Sequence, residues 1–361
     1  MRARNACRTL AAAFGAAVLA ACGSSDAPNL APVTTQSFHV APGDTGDGIS
    51  NTLGQDRMHY VVEPAHDGRR NALIVFLGGT SSTPSDYTTL ADHLGSLGYG
   101  VIDLRYPDGR AVGSLCNTND VCFTNVRGET AFGANIAYEA GASTYSSLIV
   151  QVDAANSIIG RVVAVIDYLA NLDDATDADY WDQFLIADAA SPYIAKHFGP
   201  AYPNWSKIII SGHSQGGGDA AFIAMHLPAD SPVKRVVMLS SPNDNVDGLS
   251  SASWISDAST TPLDRFWGLR APDEGVYGSF TSANWAALGG TDHGGVGGDD
   301  GAEQDIGDGS GDPAGAHRLV LDSSGGALAE HNSTAVNDGN DRFPANRESA
   351  WDYLFDGGTS D

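Results

Sequence analysis

Seven short runs of branched, aliphatic and aromatic residues recur between residues 59 and 324: HYVVEPA, ALIVFLGG, YGVIDLRYP, KIIISGHS, KRVVMLSSP, RFWGLRAP and HRLVLDSS. Runs this short and this continuously apolar are strands buried on both faces, as in a parallel sheet covered by helices. Helical patterns lie between them. PSDYTTLADHLGSLG puts Leu90, Leu94 and Leu97 on one face, and SSLIVQVDAANSIIGRVVAVIDYLANL carries a long apolar stripe. The alternation predicts an α/β fold, a mostly parallel, doubly wound sheet with helices on both faces. The chain has 361 residues and is 42% hydrophobic, enough to give residues 37–361 one large core.

Residues 1–21 read as an export signal: Arg2, Arg4 and Arg8 precede an apolar run from Leu10 to Ala20 that is too short to cross a bilayer as a helix. Leu19-Ala20-Ala21-Cys22 resembles the bacterial lipobox, which implies lipidation of Cys22 and a mature chain that begins there. Gly23 in place of the aspartate that retains such proteins at the inner membrane favours an outer-membrane lipoprotein. The same small residues also suit an ordinary cleaved signal and a secreted product. Residues 22–36, rich in Ser, Pro and Asn, are expected to be a flexible tether. In an exported chain the close pair Cys116 and Cys122 is expected to form a disulfide. A net charge of −25 with only 19 Lys and Arg repels phosphate backbones, so no nucleic-acid partner is expected; the membrane partner would be reached through the lipid anchor.

Two segments depart from the alternation. Residues 173–206 carry many aromatic residues and are expected to be a helical excursion near the mouth of a site. Residues 289–315 are rich in Gly and Asp and are expected to be a mobile loop. Calcium held by some of Asp299, Asp300, Asp305, Asp308 and Asp312 is the alternative there, although the spacing fits no known calcium loop and no metal is assigned.

The sequence KIIISGHSQGGGDAAF holds a G-x-S-x-G element, Gly212 to Gly216, between a buried-strand pattern and a helix pattern. In such a turn the serine takes a strained backbone conformation, and the flanking glycines remove side chains that would collide. Ser214 is therefore a candidate nucleophile. The helix that follows would leave the Gln215 amide free to stabilise an oxyanion.

From Gly212 to Gly217 the element reads GHSQGG and resembles the elbow of the α/β-hydrolase family, in particular bacterial lipases and esterases. Over roughly residues 58–338 the resemblance otherwise rests on the order of elements. It implies a Ser-acid-His order along the chain, the acid after the next-to-last strand and the histidine after the last. His331, in the loop after HRLVLDSS, is then the base; His293, His317, His213 and His226 are placed less suitably. Asp273 and Glu274 follow the RFWGLRAP strand, and Asp273, first in the turn, is the expected acid, with Asp244 and Asp247 after the preceding strand as the alternatives. Thr80, after Leu77-Gly78-Gly79, is the expected second oxyanion donor, although the family's His-Gly pattern is absent.

The expected activity is that of a serine hydrolase cleaving a small-molecule or polymeric carboxylic ester through an acyl-enzyme, with no cofactor. A depolymerase acting on an extracellular polyester or oxidised polymer is a second reading, permitted by Tyr180, Trp181, Trp205, Trp254, Trp267 and Trp285. A binding lipoprotein that keeps the scaffold without catalysis is a third.

Overall fold

A computed structural model of the chain describes residues 32–50, 58–137, 142–172, 177–187, 201–290, 302–338 and 343–357. The signal segment, Cys22 and most of the tether lie outside the described residues, as do His293, Asp299 and Asp300.

The seven apolar runs all form strands of one nine-stranded sheet. In chain order its strands are β1 (Thr35–Val40), β2 (His59–Pro64), β3 (Leu73–Leu77), β4 (Gly100–Leu104), β5 (Ile208–His213), β6 (Arg235–Leu239), β7 (Phe266–Arg270), β8 (Glu303–Asp305) and β9 (Arg318–Val320). Across the sheet the order is β1-β2-β4-β3-β5-β6-β7-β9-β8. From β4 to β8 every pairing is parallel, while β2 runs antiparallel to both β1 and β4. The chain is thus α/β with a mostly parallel mixed sheet.

Alternation along the strands builds two cores. Val75, Ile102, Ile210 and Val236 face one layer, packed against Val126 of α3 (Asp120–Phe132), Ile166 of α4 (Ile158–Ala170) and Phe222 of a helix that follows β5. Ile74, Val101, Ile209 and Val237 face the other, against Leu90 and Leu94 of α1 (Thr88–Ser96) and against Trp351 and Leu354 of the C-terminal helix. Leu97 packs at the edge of this second layer, one residue past the end of α1. The six aromatic residues that permitted a polymer-binding cleft are all buried, so none offers an exposed ring for an insoluble chain.

Three stretches differ from expectation. Thr35 and Gln36, expected in the tether, begin β1, whose ladder with β2 runs from Thr35 opposite Pro64 to Val40 opposite His59. Glu303–Asp305, expected in the Gly/Asp loop, forms the edge strand β8, and the next residue, Ile306, is buried against the second core. The apolar stripe expected over residues 146–172 is helical only from Ile158: Leu148 and Gln151 have left-handed φ values, and the Ser157 hydroxyl caps α4 by accepting from the Gly160 amide. The long segment between β4 and α4 instead carries α2 (Val112–Cys116) and α3, joined by the expected Cys116–Cys122 disulfide. Among the described residues no helix is long and apolar enough to cross a membrane.

Candidate active site

Because β3, β5, β6, β7 and β9 are parallel, the segments leaving their C-terminal ends meet along one edge of the sheet. Thr80 leaves β3, Ser214 leaves β5, Ser240 leaves β6, Glu274 leaves β7 and His331 follows β9.

Ser214 has φ 53° and ψ −117° and directly precedes α5 (Gln215–His226). A serine pays for this left-handed conformation unless its surroundings enforce it, and here they do. A Cβ on Gly212 would lie 2.4 Å from the Gly216 carbonyl carbon, and one on Gly216 would lie 2.0 Å from the Leu77 carbonyl oxygen. Only glycine at both positions lets strand, turn and helix approach this closely. Ser214 is half-buried, while the strand beneath it is sealed.

His331 lies on the short helix α6 (Ala327–Ser333) rather than in a loop. Its ring centroid is 4.8 Å from that of His213, the residue before Ser214, so the imidazole and Ser214 share one end of the sheet. Its Nδ1–H donates to Glu274 Oε2 at 2.8 Å, a carboxylate oxygen being unable to donate. Nε2 then carries the lone pair, as a general base requires.

The carboxylate bonded to His331 is thus Glu274 and not the expected Asp273. Asp273 is exposed at the tip of the turn, and its backbone N–H donates to Glu330 Oε2 at 2.9 Å. The next residue folds back: Glu274 is fully buried, and its Oε1 accepts from the Ala271 amide at 2.6 Å and the Ser240 hydroxyl at 2.8 Å. The alternative seats are also excluded. Asp244 accepts a two-pronged contact from Arg127, with Nε at 2.9 Å and Nη2 at 2.6 Å, and a third bond from Trp254 Nε1. Asp247 is exposed in the turn of a small hairpin made by residues 245–251.

Thr80 and Gln215 are brought together. The Thr80 hydroxyl donates to Gln215 Oε1 at 2.7 Å, and a Cβ on Gly79 would touch Ser214 Cβ at 3.3 Å, so the β3 loop lies against the nucleophile. The Gln215 amide is the first of its helix and has no carbonyl within the helix to bond. The side-chain clamp fixes two main-chain donors relative to each other, a contact that no spacing in the sequence signals. Thr80→Val is expected to lower kcat/KM for a soluble ester about fivefold, the equivalent of about 1 kcal/mol for one lost hydrogen bond, while Thr80→Ser stays near the parent. Equal rates for Thr80→Val and the parent would refute the clamp.

Two of the other histidines, His226 and His317, have structural partners. His226 donates from Nδ1 to the Phe222 carbonyl, and His317 stacks on Trp267 at the opposite edge of the sheet. Asp305, Asp308 and Asp312 each close their own turns by accepting from an amide two residues on, and among the described residues no group of three metal-binding side chains occurs. Two clefts of about 380 and 390 Å³, one lined by Thr45 and Val163 and the other by Asp322 and Phe343, do not include Ser214, His331 or Glu274. The site is defined by its hydrogen bonds rather than by the size of a cavity.

No protein-family model matches the chain, and no curated protein matches it.

Proposed function

We propose that this protein is a serine hydrolase of the α/β-hydrolase fold that cleaves carboxylic esters, exported and held at the outer membrane by a lipid on Cys22. One observation carries the catalytic reading: a serine in a left-handed turn at the head of a helix, beside an imidazole whose far nitrogen is bonded to a buried carboxylate. Chance burial of polar groups does not require this order of contacts, whereas acyl transfer does.

In the proposed reaction Ser214 Oγ attacks the ester carbonyl carbon as His331 Nε2 takes the hydroxyl proton. Glu274 holds the imidazole by Nδ1–H and stabilises the imidazolium that forms. The amides of Thr80 and Gln215 donate to the tetrahedral oxyanion. His331 then returns the proton to the departing alkoxide, leaving an acyl-Ser214 ester; water, deprotonated by the same imidazole, attacks it, and the imidazolium gives that proton to the departing Ser214 Oγ as the acid is released.

A fluorophosphonate probe distinguishes this reading from a binding protein on the same scaffold. The expected result is one covalent label per chain, located by mass spectrometry on Ser214, together with turnover of p-nitrophenyl esters of graded chain length. No label, or a label on another serine, overturns the reading.

A further inference from the structure

His213, the second residue of the elbow, is not absorbed by the triad. Its ring is buried, 3% exposed, between two partners. Nε2 lies 2.9 Å from the main-chain carbonyl oxygen of His331, and Nδ1 lies 3.1 Å from Tyr87 Oη. A carbonyl oxygen only accepts, so Nε2 carries the hydrogen. In the neutral ring Nδ1 is then an acceptor, and the Tyr87 hydroxyl must donate to it. The Tyr87 oxygen in turn accepts from the Gly79 amide at 2.9 Å.

The direction of every bond in this chain is thereby fixed: Gly79 N–H to Tyr87, Tyr87 O–H to His213, His213 N–H to His331. Burial, reinforced by the neighbouring His331, holds the His213 pKa down at about 3, so the ring keeps one tautomer at any pH suited to ester hydrolysis. Tyr87 is also buried, and its ring is braced by Phe76 with centroids 4.9 Å apart. One end of the chain is the loop that carries Thr80. The other is the main chain of His331, whose carbonyl oxygen lies 3.0 Å from Ser240 Oγ. The Gly79 amide is spent on Tyr87, which leaves oxyanion donation from this loop to Thr80.

We propose that His213 and Tyr87 are positioning residues that hold the oxyanion loop and the histidine base in register with each other through the residue next to the nucleophile. The inference rests on the hydrolase reading and deepens it. Without the chain, loop and base would be located only by their own backbones, and transition-state geometry would suffer more than substrate binding.

Three variants and one spectroscopic measurement test it. Tyr87→Phe keeps the ring and removes the hydroxyl's bonds to Gly79 and His213; kcat for p-nitrophenyl acetate is expected to fall about 5- to 20-fold with KM within twofold. His213→Leu is expected to lose at least about 50-fold in kcat, and His213→Gln, whose amide can still donate to the His331 carbonyl, to recover most of it. Thermal melts confirm that each variant is folded. In ¹⁵N-histidine-labelled protein, His213 should appear neutral with its proton on Nε2 at pH 5, and the low-field Nδ1 proton of His331 should shift in Tyr87→Phe.

If the parent cleaves no ester while the tautomer and the shifted proton are observed, the hydrolase reading fails and the coupling of loop to base stands. Unchanged kcat in Tyr87→Phe, or an unmoved His331 proton, overturns the positioning role.

Discussion

Glu274→Gln is expected to lower kcat/KM for p-nitrophenyl butyrate by about 10³- to 10⁴-fold, and Asp273→Asn, one residue away, to leave it within about twofold. The argument is one of tautomers. Glu274 Oε2 accepts from His331 Nδ1, which leaves Nε2 unprotonated to receive the serine proton. A glutamine amide can satisfy the Ala271 amide and the Ser240 hydroxyl with its oxygen, but it then presents N–H to Nδ1. The imidazole responds by moving its proton to Nε2, where it blocks proton transfer from Ser214. A loss near 10⁴-fold corresponds to about 5 kcal/mol in the barrier, the size seen when a triad acid becomes its amide. Glu274→Asp should fall between, because the shorter side chain withdraws the carboxylate without removing its charge. Collapse of Asp273→Asn with survival of Glu274→Gln would return the role to Asp273.

That one-residue correction marks how far the sequence could be read. The central strands were legible because burial on both faces leaves nothing but apolar residues in runs such as Ile208-Ile209-Ile210. Strands at the sheet margin lack that signal. Thr35–Val40 is largely exposed or half-buried along its length, and Glu303-Gln304-Asp305 contains no apolar residue, being carried into the sheet by its pairing with β9. In the site, Ser214 and His331 follow from a local motif and from order along the chain. The choice between Asp273 and Glu274 depends on which of two adjacent carboxylates turns inward. Ala271 N–H decides it by capturing Glu274 three residues on, a contact within the turn that composition does not encode. Tyr87 and Arg127 were invisible for a different reason: His213, which Tyr87 bonds, lies 126 residues away in sequence, and Asp244, which Arg127 grips, lies 117.

Arg127→Met is expected to destabilise the protein by about 3–5 kcal/mol, lowering the melting temperature by roughly 6–20 °C. The guanidinium lies beneath the nucleophile helix, fully buried on α3. Nη1 donates to the Gln215 carbonyl at 2.7 Å and to Asp219 at 2.8 Å, while Nε and Nη2 grip Asp244. Burial works against the charge of Arg127, but Asp244 and Asp219 outweigh it and raise its pKa. Burial likewise works against the charge of Asp219 and raises its pKa, against the pull of Arg127. Removing the cation leaves two carboxylates in a dry interior. The folded-state pKa of Asp219, already raised by burial, then lies further above the unfolded value near 3.9, so folding is favoured by proton uptake there and the deficit grows as pH rises through the folded value. The gap between variant and parent should therefore be widest at pH 7 and above, and should narrow as the pH is lowered toward 5. Replacing all three groups, as Arg127→Met with Asp219→Asn and Asp244→Asn, should recover much of the loss, because a buried ion cluster costs most when only one partner is removed. A melting temperature for Arg127→Met within about 2 °C of the parent at pH 7 would show that the cluster does not hold the elbow. Loss of activity without loss of stability would instead limit the contribution of Arg127 to its bond with the carbonyl of Gln215, behind the amide proposed to bind the oxyanion.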